Sequence, residues 1–184
     1  MTRPSSGLHD RILASALHLF VERGYRGTSL QDIATDAGCS KASLLYHFSN
    51  KEAILTELMV PVMRDAEDLD ARLDGLDGAA AAEAAVTEFA ALAIRYRREV
   101  KLLFDNLAEA TMLDTGAPKL EGFGERLVNA FAGGSFAFED QVAARMALGG
   151  MFLTAADLSL DDAALRDALV ATALRTLGRA PAGP

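Results

Sequence analysis

The sequence predicts an all-α fold of about nine helices, with a three-helix head carrying a helix-turn-helix and a longer helical body behind it. Three observations lead there. Strand signals are nearly absent: no run of β-branched residues alternates with polar ones, while Ala and Leu recur at helical spacing throughout. Glycines and capping residues recur at short intervals in the first fifty residues and mark short helices, and longer apolar-periodic stretches follow. With 184 residues, 51% of them hydrophobic, the chain can bury one sizeable core, or one core plus a small satellite domain.

The first helix is expected from about Leu8 to Arg23, where Ile12, Leu13, Ala16, Leu17, Phe20 and Val21 form one apolar stripe and Gly24 supplies a left-handed stop. Thr28-Ser29-Leu30-Gln31 has the form of a capping box, with Thr28 accepting from the Gln31 amide. It opens a short second helix that faces Leu30, Ile33, Ala34 and Ala37 inward. Gly38 turns the chain and Ser40 caps the third helix, Lys41 to Phe48. Two short helices joined by a tight glycine turn are the helix-turn-helix signature. Ser49 and Glu52 form a second capping box for a fourth helix, about Lys51 to Leu73. Such a helix is roughly 34 Å long, and Pro61 inside it removes one backbone bond, so a kink or break is expected near Leu58 to Val60.

After the turn at Gly75 to Gly78, helices are expected at about Ala79–Arg97, Glu99–Met112, Pro118–Ala132, Glu139–Leu158 and Asp161–Leu177. The division that follows is a head at residues 1–50, a body at 51–178 and a flexible tail at 179–184.

Composition narrows the function. No apolar run approaches the roughly 18 residues of a membrane span, and the N-terminus lacks the apolar stretch of a signal peptide, so a cytoplasmic protein without a membrane partner is expected. A single cysteine, Cys39, excludes an internal disulfide and is expected as a small packing residue. Three histidines without zinc-type spacing predict no structural metal, and no cofactor motif is present. The net charge of −8 is unevenly spread: residues 1–52 hold six Lys/Arg against five Asp/Glu, and residues 53–184 hold 12 against 21. The head is therefore mildly positive while the body repels polyanions.

On the third helix Leu44 and Phe48 share a face that must point into the head's core. Lys41, Ala42, Ser43, Leu45, Tyr46 and His47 then lie outward or on the flanks. One cation, hydroxyls, an imidazole and bulky apolar groups are the mixture that major-groove reading needs.

The segment Gly24-Tyr25, Thr28-Ser29-Leu30-Gln31-Asp32-Ile33-Ala34, then Ala37-Gly38-Cys39-Ser40-Lys41-Ala42-Ser43-Leu44-Leu45-Tyr46-His47-Phe48-Ser49-Asn50-Lys51-Glu52, resembles the N-terminal signature of TetR-family regulators. The resemblance implies a three-helix DNA-binding head, a ligand-binding body of about six helices and a homodimer. Position by position, it implies Thr28 at the phosphate backbone, Ser40, Lys41, Ser43 and Leu45 at or near bases, and Tyr46, His47 and Lys51 on phosphates. Ala42 stands where the family often has glycine, and Leu45 where it often has an aromatic. The implied partners are double-stranded operator DNA, a second copy of the chain and an unidentified apolar or amphipathic small molecule that releases a repressor from its operator. A two-fold dimer reads a palindrome whose half-sites lie about 34–36 Å apart or more.

Within the body, Phe89, Tyr96, Phe104, Asn106, Met112 and Phe123 are the candidate pocket lining. The last two helices are apolar over more than one face, and Met146, Gly149, Gly150, Leu153, Leu165, Leu169 and Thr172 are the candidate dimer interface. Two other classes compete. A helical interaction protein without DNA binding is opposed by the intact Lys41, Tyr46, His47 and Lys51. An enzyme is opposed by the lack of a paired acid and base, a nucleophile elbow, a phosphate loop or a metal cluster.

Overall fold

In a computed structural model, residues 5–105, 122–157 and 159–179 are described, and they form nine α-helices without a strand. The helices are α1 (Ser5–Arg23), α2 (Leu30–Asp36), α3 (Lys41–His47), α4 (Lys51–Leu73), α5 (Gly78–Arg95), α6 (Arg97–Asp105), α7 (Phe123–Phe131), α8 (Phe138–Ala155) and α9 (Asp162–Thr176). Described residues up to Pro61 and those from Lys101 to Asp105 form one compact unit; those from Val62 to Val100 and from Gly122 onward form another. Helix α4 belongs to both. No break occurs at Pro61, since α4 is one helix from Lys51 to Leu73, and the division between the units falls immediately after that proline.

In the first unit three residues of the expected α1 stripe, Ile12, Ala16 and Phe20, are buried, while Leu13, Leu17 and Val21 are half-buried and Leu19 takes a core position that the stripe did not include. Ile33 and Ala34 of α2 and Leu44 of α3 are also buried, with α1 packed on α2 and α2 on α3. Gly24 and Gly38 take positive φ at the ends of α1 and α2. At α2 and α4 the capping residue lies one position later than the capping patterns suggested, while Ser40 caps α3 as expected. Ser29, not Thr28, caps α2, accepting from the Asp32 amide at 3.2 Å while the Asp32 carboxylate accepts from the Ser29 amide at 2.8 Å. At α4 the Asn50 side-chain oxygen accepts from the Ala53 amide at 2.8 Å.

In the second unit α5 is the central element and packs against α7, α8 and α9. Its core holds Val86 and Phe89 with Leu69, Leu127, Phe131 and Met151. Leu165 and Leu169, expected at a dimer interface, are buried in this core. A helix apolar all round gives no phase from sequence, and here the leucine side of α9 faces its own protomer. Ala164, Ala168 and Thr172 of α9 are exposed, as are the charged Arg166, Asp167 and Arg175.

Two tertiary ties brace this unit. The Gly78 amide donates to the Gly133 carbonyl at 3.1 Å, and a Cβ on Gly133 would lie 2.6 Å from the Gly78 oxygen, so only glycine fits at that φ of +65°. Arg97, 7% exposed, donates from Nε to the Ala155 carbonyl at 3.3 Å and from one terminal nitrogen to the Leu160 carbonyl at 2.9 Å. Its guanidinium also reaches the Asp157 carbonyl and the Asp162 carboxylate. One side chain thus ties the end of α8, the connecting loop and the start of α9. Arg179, placed in the expected flexible tail, is anchored: its amide donates to the Leu174 carbonyl at 2.8 Å. Among the described residues no helix is long and apolar enough to cross a membrane, and no cluster of His, Cys, Asp and Glu could hold a metal ion.

Candidate nucleic-acid interface

Burial of Leu44 and Phe48 fixes the phase of α3. The opposite side presents Lys41, Ala42, Leu45 and Tyr46, all exposed, with Ser43 and His47 half-buried at its edges. Tyr46 is 87% exposed and Leu45 43%. Side chains of this size left in water on a rigid short helix are available to a partner surface.

The hydroxyls expected beside them are already engaged. Ser40 caps α3, its oxygen accepting from the Ser43 amide at 3.1 Å, and the two serine hydroxyls lie 2.9 Å apart. Thr28, expected at the phosphate backbone, is 2% exposed. Its hydroxyl lies within reach of the Leu19 carbonyl at 3.2 Å and the Gly24 carbonyl at 3.0 Å, so its side chain closes the α1–α2 turn and does not face outward. Thr28→Val should therefore lower head stability by about 1–2 kcal/mol, read as a shift in thermal unfolding, and a shift within error would contradict this structural role.

Lys51 is likewise turned inward. Its ammonium donates to the carbonyls of Tyr25 at 2.5 Å and Thr28 at 2.8 Å, and it lies 4.3 Å from the centre of the Tyr25 ring. Partial burial pushes its pKa below the ordinary lysine value. The expected phosphate anchor is thus a tie between the start of α4 and the turn leading into α2. The exposed Asp32 carboxyl is also held below its usual range by the Ser29 hydroxyl and amide.

His9 and Glu57 extend the site, and sequence spacing gave no signal for them. The His9 ring stacks on Phe48 at 4.9 Å and stands edge-on to His47 at 6.0 Å, while its Nε2 lies 2.9 Å from a Glu57 oxygen. This aromatic stack supports the C-terminal end of α3 from behind. Cys39 is half-buried beside the turn.

Residues 12–58 match the family model of bacterial regulatory proteins of the tetR family. The HTH-type transcriptional repressor KstR2 of Rhodococcus jostii (strain RHA1) is 36% identical over 115 residues, 57% of this chain and 56% of its own length. Residues 12–58 of this chain thus carry the N-terminal DNA-binding segment that the tetR family model describes. IcaR of Staphylococcus epidermidis, the negative transcriptional regulator of the biofilm operon icaADBC, is 49% identical over 47 residues, 26% of this chain and 25% of its own. The matched stretches thus span little more than half of KstR2 and a quarter of IcaR. Among solved structures, the TetR family transcriptional regulator PfmR from Thermus thermophilus shares the fold with a TM-score of 0.67 at 22% identity, over 94% of this chain and 100% of that one. A TetR-like transcriptional regulator from Rhodococcus sp. RHA1 gives a TM-score of 0.68 at 20% identity, over 96% and 99% of the two chains. By name these relatives are transcriptional regulators; the family model matches within residues 12–58, and the KstR2 match, at 115 residues, is longer than the head.

The candidate pocket lining fares differently from the head. Phe89 is inside the body's core, edge-on to Phe131 at 6.1 Å, and Phe123 packs against the same core. Tyr96 donates its hydroxyl to Asp65 at 2.9 Å, and burial together with that carboxylate raises the hydroxyl's pKa. These three positions are filled by packing and hydrogen bonding. Asn106 and Met112 lie outside the described residues, as does the side chain of Phe104.

Proposed function

We propose that the chain is a dimeric, DNA-binding transcriptional regulator of the TetR family, acting as a repressor that leaves a palindromic operator when its body takes up a small apolar or amphipathic molecule. The observation that carries the reading is the exposed row Lys41, Ala42, Leu45 and Tyr46 on the α3 of a head matching the family model. A helix with its apolar side anchored in a core and a mixed polar and apolar side in water is shaped for the major groove. Repression is supported by the names of the relatives, both of which are negative regulators. Ligand control rests on family likeness and on α4, which belongs to both compact units and so can pass a change in body packing to the head.

Dimerisation is supported by α8. Phe138, Val142, Met146, Gly149, Gly150 and Leu153 share one exposed side, opposite the buried Ala144, Ala147, Met151 and Ala155. A helix that needs cover on two sides calls for a second copy, and pairs of α8 and α9 from two protomers make a four-helix bundle.

The test is a gel shift with the DNA flanking the chain's own gene. The wild-type chain should retard it, and a Tyr46→Ala, His47→Ala double variant should bind about tenfold or more weakly with unchanged helix content. Equal affinity in the double variant would refute the contact assignment.

A further inference from the structure

We infer that Leu45, flanked by Ala42, reads thymine 5-methyl groups, so that this head selects its operator chiefly by apolar contact and not by hydrogen bonds from its serines and threonine; this rests on the DNA-reading function proposed above. Of the polar groups that the family resemblance places at or near bases, Lys41 projects while the Ser40 and Ser43 hydroxyls are engaged with one another at the surface, and two of those it places on phosphates, Thr28 and Lys51, are turned inward. Ser40 and Ser43 are bound to each other and to the α3 cap. The Thr28 hydroxyl is buried against two carbonyls, and the Lys51 ammonium donates to two others.

What projects from α3 is Lys41, Ala42, Leu45 and Tyr46. Ala42, Leu45 and Tyr46 stand at i, i+3 and i+4, so they form one continuous patch whose central member has no polar atom. In the major groove the purine edges and cytosine offer donors and acceptors, and the one apolar feature is the C5 methyl of thymine. A leucine side chain pressed on any other base edge strips water from a polar group without replacing its hydrogen bond. Against a thymine methyl both surfaces leave water together. Lys41 and Tyr46, at the two ends of the patch, keep polar groups for guanine edges or phosphates.

The experiment uses the full chain. Duplexes are enriched from a random library, and each thymine of the enriched half-site is replaced in turn by uracil, which keeps pairing and the O4 acceptor and lacks only the methyl. At one or two positions per half-site the wild-type chain should lose about fourfold in affinity per methyl removed. Leu45→Ala should bind the thymine duplex about as weakly as the wild type binds the uracil duplex, and should be indifferent to the swap. Leu45→Met, which keeps an apolar side chain, should retain the discrimination. Enriched duplexes on which no uracil substitution matters, or a Leu45→Ala variant that keeps the full methyl effect, would overturn methyl reading while leaving DNA binding intact. A library from which nothing is enriched would overturn the DNA-reading function itself.

Discussion

Arg97→Met should lower the melting temperature of the chain by on the order of 10 °C. The last carbonyls of any helix lack intrahelical partners. At the end of α8 and in the loop after it, those of Ala155, Asp157 and Leu160 are satisfied by one guanidinium, which also binds the Asp162 carboxylate at the start of α9. Methionine preserves volume and apolar contact, so the loss isolates the hydrogen bonds. Bonds from a charged donor contribute about 1.5–3 kcal/mol each, and because they share one side chain their sum is far from additive. A total near 3 kcal/mol, at roughly 2–4 °C per kcal/mol for a chain of this size, gives the expected shift. Arg97→Lys should recover only a small part of it, since an ammonium is a compact point donor that does not span carbonyls on both sides of a loop. Circular dichroism melts of the three proteins decide the matter. A methionine variant that melts within about 2 °C of wild type would show that the clamp is incidental to stability.

The contrast between Arg97 and the head shows which features local sequence carries. Periodicity and glycine placement are local, and so α4 has the ends expected of it, Lys51 and Leu73, and α3 begins at the expected Lys41. Long-range partners are not local. Thr28 and Ser29 are adjacent hydroxyls, equivalent as caps on paper; Thr28 is removed from that role because Leu19 and Gly24 offer it buried carbonyls. Lys51 reads as a surface cation until the chain brings the carbonyls of Tyr25 and Thr28 to its ammonium. His9 stacks on a phenylalanine thirty-nine positions away, a contact that no motif encodes. Arg97 looks like an ordinary basic residue near a helix end, and its partners lie about sixty residues further on. In the body the ambiguity is one of phase. Phe89 and Leu165 belong to helices rich in alanine and leucine on every side, so sequence does not say whether they face the core, a ligand or a second copy, and packing assigns both to the core.

That assignment sharpens what remains exposed, and a Met146→Glu, Leu153→Glu variant should sediment as a monomer and bind an operator duplex more than about 100-fold more weakly than wild type. Both side chains stand on the exposed side of α8, Met146 being 66% exposed, so a carboxylate at either position costs the isolated protomer little. In a two-fold bundle the same positions meet their own copies, and four carboxylates would be forced together out of water. The loss of DNA affinity then follows from the charge distribution. Residues 1–52 carry only one excess cation, with Lys51 among the six basic groups turned inward, while the rest of the chain carries nine excess acids. A head so weakly charged gains little from counterion release, so useful affinity depends on a second head held at fixed spacing, which makes the second binding event intramolecular. Analytical ultracentrifugation and a gel shift on the same preparation separate the two steps. A variant that remains dimeric would remove α8 from the interface, and a monomer that binds DNA as tightly as wild type would show that one head suffices.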